Sequence, residues 1–290
     1  VVANRLAAAR GIDLSDPANI DEYGYPVGYS RTNQEVLMPS FLAAYSGRDI
    51  SKQDNGFLRS IPLPNWELRY NGLAKLSWFK NTFTRVTLSH KYVSGYSVNN
   101  FQTNYEYLEN PNALNAGGNY PTKNVVSNIT MTEDFNPLIK IEFLTKSGLD
   151  FGFGINKDRM LSMSFDNNLL TEVQGSEYNF KLGFIIKDVG FTTNFEGVAN
   201  GGRIISDMRF VTEFSWRRNQ TLIRYLDYNN NQIGAGQDIK NIKVSAEYDF
   251  SKNFTARFYY EHMFSKAVIS TMYPITNLRS GITLRYNFGN

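Results

Sequence analysis

From Trp66 to Phe288 apolar and polar residues alternate with a period of two, segment after segment, and only strands of a sheet with two unlike faces fit that pattern. Trp66, Leu68 and Tyr70 oppose Glu67, Arg69 and Asn71, and Ile139, Ile141 and Phe143 oppose Lys140 and Glu142. Phe151, Phe153 and Ile155 oppose Asp150, Gly152 and Gly154, and Tyr178, Phe180, Leu182 and Phe184 oppose Asn179, Lys181 and Gly183. Met208, Phe210, Phe214 and Trp216 oppose Arg209, Glu213 and Arg217, and Val244, Ala246 and Tyr248 oppose Lys243, Ser245 and Glu247. Ala256, Phe258 and Tyr260 oppose Arg257 and Glu261, and Ile282, Leu284 and Tyr286 oppose Thr283 and Arg285.

A soluble sandwich alternates too, so the connections carry the next step. Tight turns are expected at residues 78–81, 134–137, 156–158, 188–190, 217–219 and 251–253, with longer polar connections at 99–123, 166–177, 227–238 and 265–276. If the last strand descends toward the periplasm, those tight turns fall on the periplasmic side. The long loops then fall outside, apart from two short outer turns near Ser147–Gly148 and Ala199–Gly202. Short inner turns with longer outer loops are the bacterial barrel arrangement. The expectation is an all-β fold, a transmembrane antiparallel β-barrel in the bacterial outer membrane. About thirteen strands are expected in residues 66–290, an odd number that cannot close by itself. Aromatic girdles are expected from Trp78, Phe79, Trp216 and Phe288 at one level and Tyr92, Tyr260 and Phe264 at the other.

Residues 1–65 lack the alternation and predict a helical or irregular segment on the lumen or periplasmic side. VVANRLAAARG reads as a short helix ended by Gly11, and EVLMPSFLAAYSG as a second with Pro39 near its start and Gly47 as its cap. Mean hydropathy is −0.37, and the longest apolar run, Val36 to Tyr45, is about ten residues, short of the roughly 20 a spanning helix needs. The net charge of +3 is spread among acids and demands no nucleic-acid partner. The absence of cysteine excludes disulfides and Cys-based metal sites. The chain opens without Met or a signal sequence, as expected of a processed protein or a part of a longer polypeptide.

The candidate functional residues are the charges in the polar phase: Lys181, Arg209, Glu213, Arg224, Lys243, Glu247, Arg257, Glu261 and Arg285. On a lipid face each Arg or Lys would cost about 2–4 kcal/mol near the midplane, so these are expected to face a hydrated lumen. Their mixed signs suggest cross-strand pairs, a generic polar interior rather than an ion-selective ring. His90 and His262 are the only histidines; both follow the apolar phase, without an acid at ligand spacing on their own face. No catalysis, metal or cofactor is expected. At the carboxyl end, Gly281, Leu284, Tyr286 and Phe288 in RSGITLRYNF have the spacing of the signal by which barrel-assembly machinery recognises a last strand.

The stretch IPLPNWELRYNGLAKLSWFKNTFTRVTLSHKYVSGYSVNNFQTN, with ANRLAAARG and VLMPSFLAAYSG upstream, resembles the C-terminal region of the SprA (Sov) family, the giant outer-membrane translocons of the type IX secretion system. The resemblance implies a single-chain barrel of about 36 strands, contacting membrane lipid and lipopolysaccharide and closed by the remainder of the same polypeptide. It further implies a pore for folded cargo bearing a C-terminal secretion domain, a PorV-type shuttle barrel and a periplasmic plug protein as partners, and a link to gliding motility. The alternatives are another large outer-membrane barrel, such as a TonB-dependent transporter or porin, a barrel enzyme, or an adhesion protein using the outer loops.

Overall fold

A computed structural model of the chain describes residues 1–47, 49–52, 64–192, 203–228, 230–269 and 272–288. The alternating segments form β1 (Trp66–Tyr70), β2 (Phe83–Asn99), β3 (Gln102–Thr103), β4 (Asn124–Val125), β5 (Asn128–Thr145) and β6 (Asp150–Ser164). They continue as β7 (Leu169–Thr192), β8 (Arg203–Tyr225), β9 (Asn230–Ser251), β10 (Phe254–Ala267) and β11 (Ile275–Tyr286). Among the described residues four α-helices accompany them, α1 (Val2–Ala9), α2 (Gln34–Ser46), α3 (Ser77–Lys80) and α4 (Tyr105–Glu109), with three short 3-10 turns. Nine strands make one sheet in the order β1-β2-β5-β6-β7-β8-β9-β10-β11, and β3 with β4 makes a separate ribbon. Every neighbouring pair is antiparallel. The sheet is open, with β1 and β11 as its edges, and with nine strands these edges run in the same direction.

The sheet has nine strands rather than thirteen because four expected turns lie inside strands. Residues 156–158 and 217–219 continue an unbroken ladder in β6 and β8. Residues 134–137 enter a bulge, in which the three residues between Phe135 and Ile139 of β5 oppose only Asn156 of β6. Pro137 is tolerated there because a bulge frees its position from donating to the ladder. Residues 188–190 form a second irregularity, where Asp188 takes φ 56 and the register with β8 shifts. Only 78–81 and 251–253 sit at real reversals. The strands are correspondingly tall: β7, β8 and β9 have 24, 23 and 22 residues, about twice the roughly 9–11 that a tilted strand needs to cross a bilayer.

Connection length does not sort the two ends. The end that carries the C-terminus has connections 71–82, 146–149, 193–202 and 252–253; the far end has 100–127, 165–168, 226–229 and 268–274. The turn at Ser147–Gly148 thus lies beside 251–253 and not opposite it. Residues 199–202 lie outside the described residues.

The two helices expected upstream are present. Gly11 (φ 79) follows α1, the Asn33 side chain accepts the Glu35 N–H at the start of α2, and Gly47 (φ 63) closes it. Met38, Phe41 and Leu42 of α2 bury against Val126, Ile129, Met131, Leu161 and Met163. Val2, Ala3 and Ala7 of α1 pack with Tyr29 and Val36. The register puts Ile129, Met131, Leu161 and Met163 in the phase of Phe151 and Phe153, near the far end. The segment therefore covers the apolar-phase face at the end opposite the C-terminus, whereas the expectation placed it toward the charged face or the C-terminal end.

The long 100–127 connection folds onto this segment. Arg10 donates to the Tyr29 hydroxyl (3.0 Å), the Pro111 carbonyl (3.1 Å) and the Asn112 side chain (2.8 Å), and lies 3.9 Å over the Tyr120 ring. Gly28 takes φ 84, and a Cβ there would come within 2.2 Å of the Tyr120 ring. Gly28→Val should therefore lift the connection off the segment at a cost of about 3 kcal/mol, from backbone strain and overpacking together. Limited proteolysis should then cut 100–127 faster while the sheet stays resistant.

Candidate functional site

The register brings the polar-phase charges into rows that cross the sheet. One row runs Thr87, Glu142, Gly152, Lys181, Glu213, Lys243, Glu261, Arg279 on β2 and β5 to β11. From β7 onward its charges alternate in sign on five successive strands. Lys181 meets Asp150 at 3.0 Å, Lys243 meets Glu261 at 3.4 Å, and Arg279 meets Glu261 at 3.0 Å. In a second row Arg209, Glu247 and Arg257 are register partners, with Arg209 and Glu247 at 3.3 Å. Arg285 is paired with Thr255 on the same face.

Eight of the nine expected charges thus share one face. Arg224 does not. Because β8 runs unbroken through residues 217–219, Arg224 falls in the opposite phase to Arg209 and Glu213, and its register partner is Leu170. The charged face also carries concavities. A concavity of about 490 Å³ lies among Lys140, Glu142, Asn179, Lys181, Glu213 and Lys243, where Gly152 and Gly154 remove side-chain bulk. Another of about 360 Å³ lies among Glu213, Lys243, Arg257, Tyr259 and Glu261.

One residue away on each strand, the other face carries Tyr70, Leu88, Ile141, Phe153, Phe180, Phe214, Ile242, His262 and Leu278 in a single row across all nine strands. Below it the β8 partners step down through Thr212 and Phe210 to Met208, and above it comes Trp216. Eight residue steps from Met208 to Trp216, at about 3.3 Å each and tilted about 40°, give a band about 20 Å tall. Trp216 and Phe264 flank Lys240 in one row at its upper margin, so they belong to one level and not to two.

Above Trp216 the same face turns polar while the ladder continues: Lys157, Ser176, Arg218, Asp238 and Lys266 form the next row. Two rows higher, buried Glu172 accepts from Arg159 (2.8 Å), Gln174 (2.6 Å) and Arg224 (3.2 Å). The end of α2 lies over this cluster, with Arg159 at 5.8 Å from the centre of the Tyr45 ring. Burial and then the nearby Glu133 charge raise the Tyr45 phenol above its usual range. This charged extension was missed by the sequence reading. Its signal is Lys157 and Arg159 following Ile155 in the apolar phase.

In the last strand Leu284 pairs with Ala256 and Tyr286 with Phe254, both on the apolar face. Gly281 faces Tyr259, whose hydroxyl would lie 2.7 Å from an added Cβ. Phe288, just beyond β11, is 94% exposed. His90 Nδ1 lies 2.6 Å from the Leu138 carbonyl at the bulge, and His262 sits in the apolar row opposite Leu278. Among the described residues no three His, Cys, Asp or Glu side chains converge as a metal site. Neither a protein-family model nor a curated protein matches this sequence.

Proposed function

We propose that this chain is a wall section of a large outer-membrane β-barrel that conducts proteins, of the SprA (Sov) kind. The observation that carries the reading is the pair of adjacent rows: at one level the nine strands of the sheet present apolar side chains to one side, with His262 of β10 the exception, and the other side is charged or polar apart from Gly152. A water-soluble sandwich would bury its apolar row under a second sheet. Here only the upper part of that face is covered, by residues 1–52, while Phe153, Phe180, Phe214 and Leu278 stay 37–59% exposed. The band of about 20 Å is close to the ~25 Å apolar belt of bacterial barrels. The charged face then lines the conduit, and the strands rise about as far again beyond the bilayer. In this orientation residues 1–52 sit on the outer surface of the wall above the membrane.

The conduit would be passive. Missing strands would come from the remainder of the same polypeptide, and direction from bound partners: a PorV-type shuttle barrel, a periplasmic plug and cargo with a C-terminal secretion domain. Accessibility tests the reading. In the full-length polypeptide in its host membrane, Lys181→Cys and Glu213→Cys should react with a charged maleimide, whereas Phe180→Cys and Phe214→Cys should be protected. Equal labelling of both sets would remove the membrane reading. A photo-crosslinker at Lys181 that captures secreted proteins would separate a protein conduit from a porin or TonB-dependent transporter.

A further inference from the structure

We infer that the C-terminal end of the sheet carries a binding rim for anionic phospholipid headgroups, centred on the helical connection between β1 and β2; this rests on the membrane reading above. The connection contains Lys75, Leu76, Trp78, Phe79 and Lys80 in and around α3. Phe79 turns inward, with its ring 5.6 Å from Phe83 and 6.5 Å from Phe143, at the lower margin of the apolar face. That contact fixes the turn against the band and leaves Trp78 88% and Leu76 50% exposed. An indole this exposed, held at the edge of an apolar belt, suits the headgroup level of a bilayer, where its ring is apolar and its N–H is wet.

The charges around it have one sign. Among the described residues of the connections at this end, the ionisable groups are Lys75, Lys80, Lys146 and Lys252, all exposed. The Lys146 N–H donates to the Thr82 carbonyl at 3.0 Å, so the Lys146 turn is tied to the end of the α3 connection. None of the four lysines makes an ion pair among the described residues. The acids nearest this end lie on strands, Asp188 of β7 beside the cation Lys187 and the other three with hydrogen-bond or ion-pair partners. Asp150 meets Lys181, Asp249 accepts from Thr255, and Asp207 accepts the Asp188 N–H. Unpaired lysines beside an exposed Trp, continuous with the apolar band, complement a leaflet of anionic phospholipid, to which each Lys near the surface adds roughly a fivefold preference.

The test uses the full-length polypeptide in vesicles of mixed phosphatidylglycerol and phosphatidylcholine, with Leu76→p-benzoylphenylalanine as a photo-crosslinker. Mass spectrometry of the 71–82 peptide then gives the ratio of the two lipid adducts. Phosphatidylglycerol should be favoured by roughly tenfold or more, and Lys75→Gln with Lys80→Gln should bring the ratio close to the vesicle composition. Lys75→Arg with Lys80→Arg should keep the preference, as should Lys123→Gln at the far end. Adducts without headgroup preference, or a preference that survives the Gln pair, would overturn the rim while leaving the membrane reading intact. No adduct with either lipid would overturn both.

Discussion

Residues 1–290 expressed alone in detergent should aggregate, with no folded band that shifts on heating. The reason is the pair of open edges. β11 exposes all but one of its 12 residues, and β1 covers only residues 88–92 of β2. Inside hydrocarbon each unpaired N–H or C=O costs several kcal/mol, so an edge of this length is not viable in a bilayer. Nor can the edges join each other, because they run in the same direction and direct pairing would break the antiparallel order. In the whole assembly the free side of Gly281–Tyr286 should pair with an antiparallel strand from outside these residues. A monodisperse, closed barrel from residues 1–290 would refute the conduit reading and the open-edge argument together.

A charge placed in the apolar band should cost far more than the same charge one residue away. Val244 lies in the middle row of the band, with Thr212 and Tyr260 as its partners, whereas Ser245 points to the charged face between Val211 and Tyr259. Val244→Arg should destabilise the full-length polypeptide by about 2–4 kcal/mol, the cost of a guanidinium near the bilayer centre. Ser245→Arg should cost under about 1 kcal/mol, since its side chain stays in water near Glu247. Urea titration of the heat-modifiable band measures both. Equal costs would mean that the two faces do not meet different solvents.

The alternation made the two faces legible in the sequence, and with them the grouping of Lys181, Glu213, Lys243 and Glu261. It did not show where a strand ends. Lys157 and Arg218 occupy apolar-phase positions, so Asn156–Asp158 and Arg217–Asn219 read as reversals. In the structure the backbone ladder passes through both without a break. Alternation reports what surrounds the side chains, whereas the ladder depends only on main-chain groups that any residue except proline supplies. In a strand that outlasts its apolar surroundings, the pattern stops and the strand does not. Arg224 was assigned to the wrong face for this reason, because the phase count restarted after a turn that does not exist. The helix α2 was legible from Pro39 and Gly47, whereas its N-cap Asn33 came only with the structure. The place of α2 on the sheet was not legible, because Phe41 against Met131 is a contact between distant residues with no periodic signature.

The charge row from Lys181 to Arg279 has a consequence for anything that passes along it. Neighbouring strands are about 4.8 Å apart, so the sign repeats about every 9.6 Å. The potential of such a grating decays exponentially with a length near its period divided by 2π, about 1.5 Å. That is much shorter than the ~8 Å Debye length of physiological salt, which governs a wall of single sign. One layer of water is enough to hide the row. In a conduit such a surface stays wet without attracting acidic or basic clients, and a folded protein of either charge would slide past it without being held.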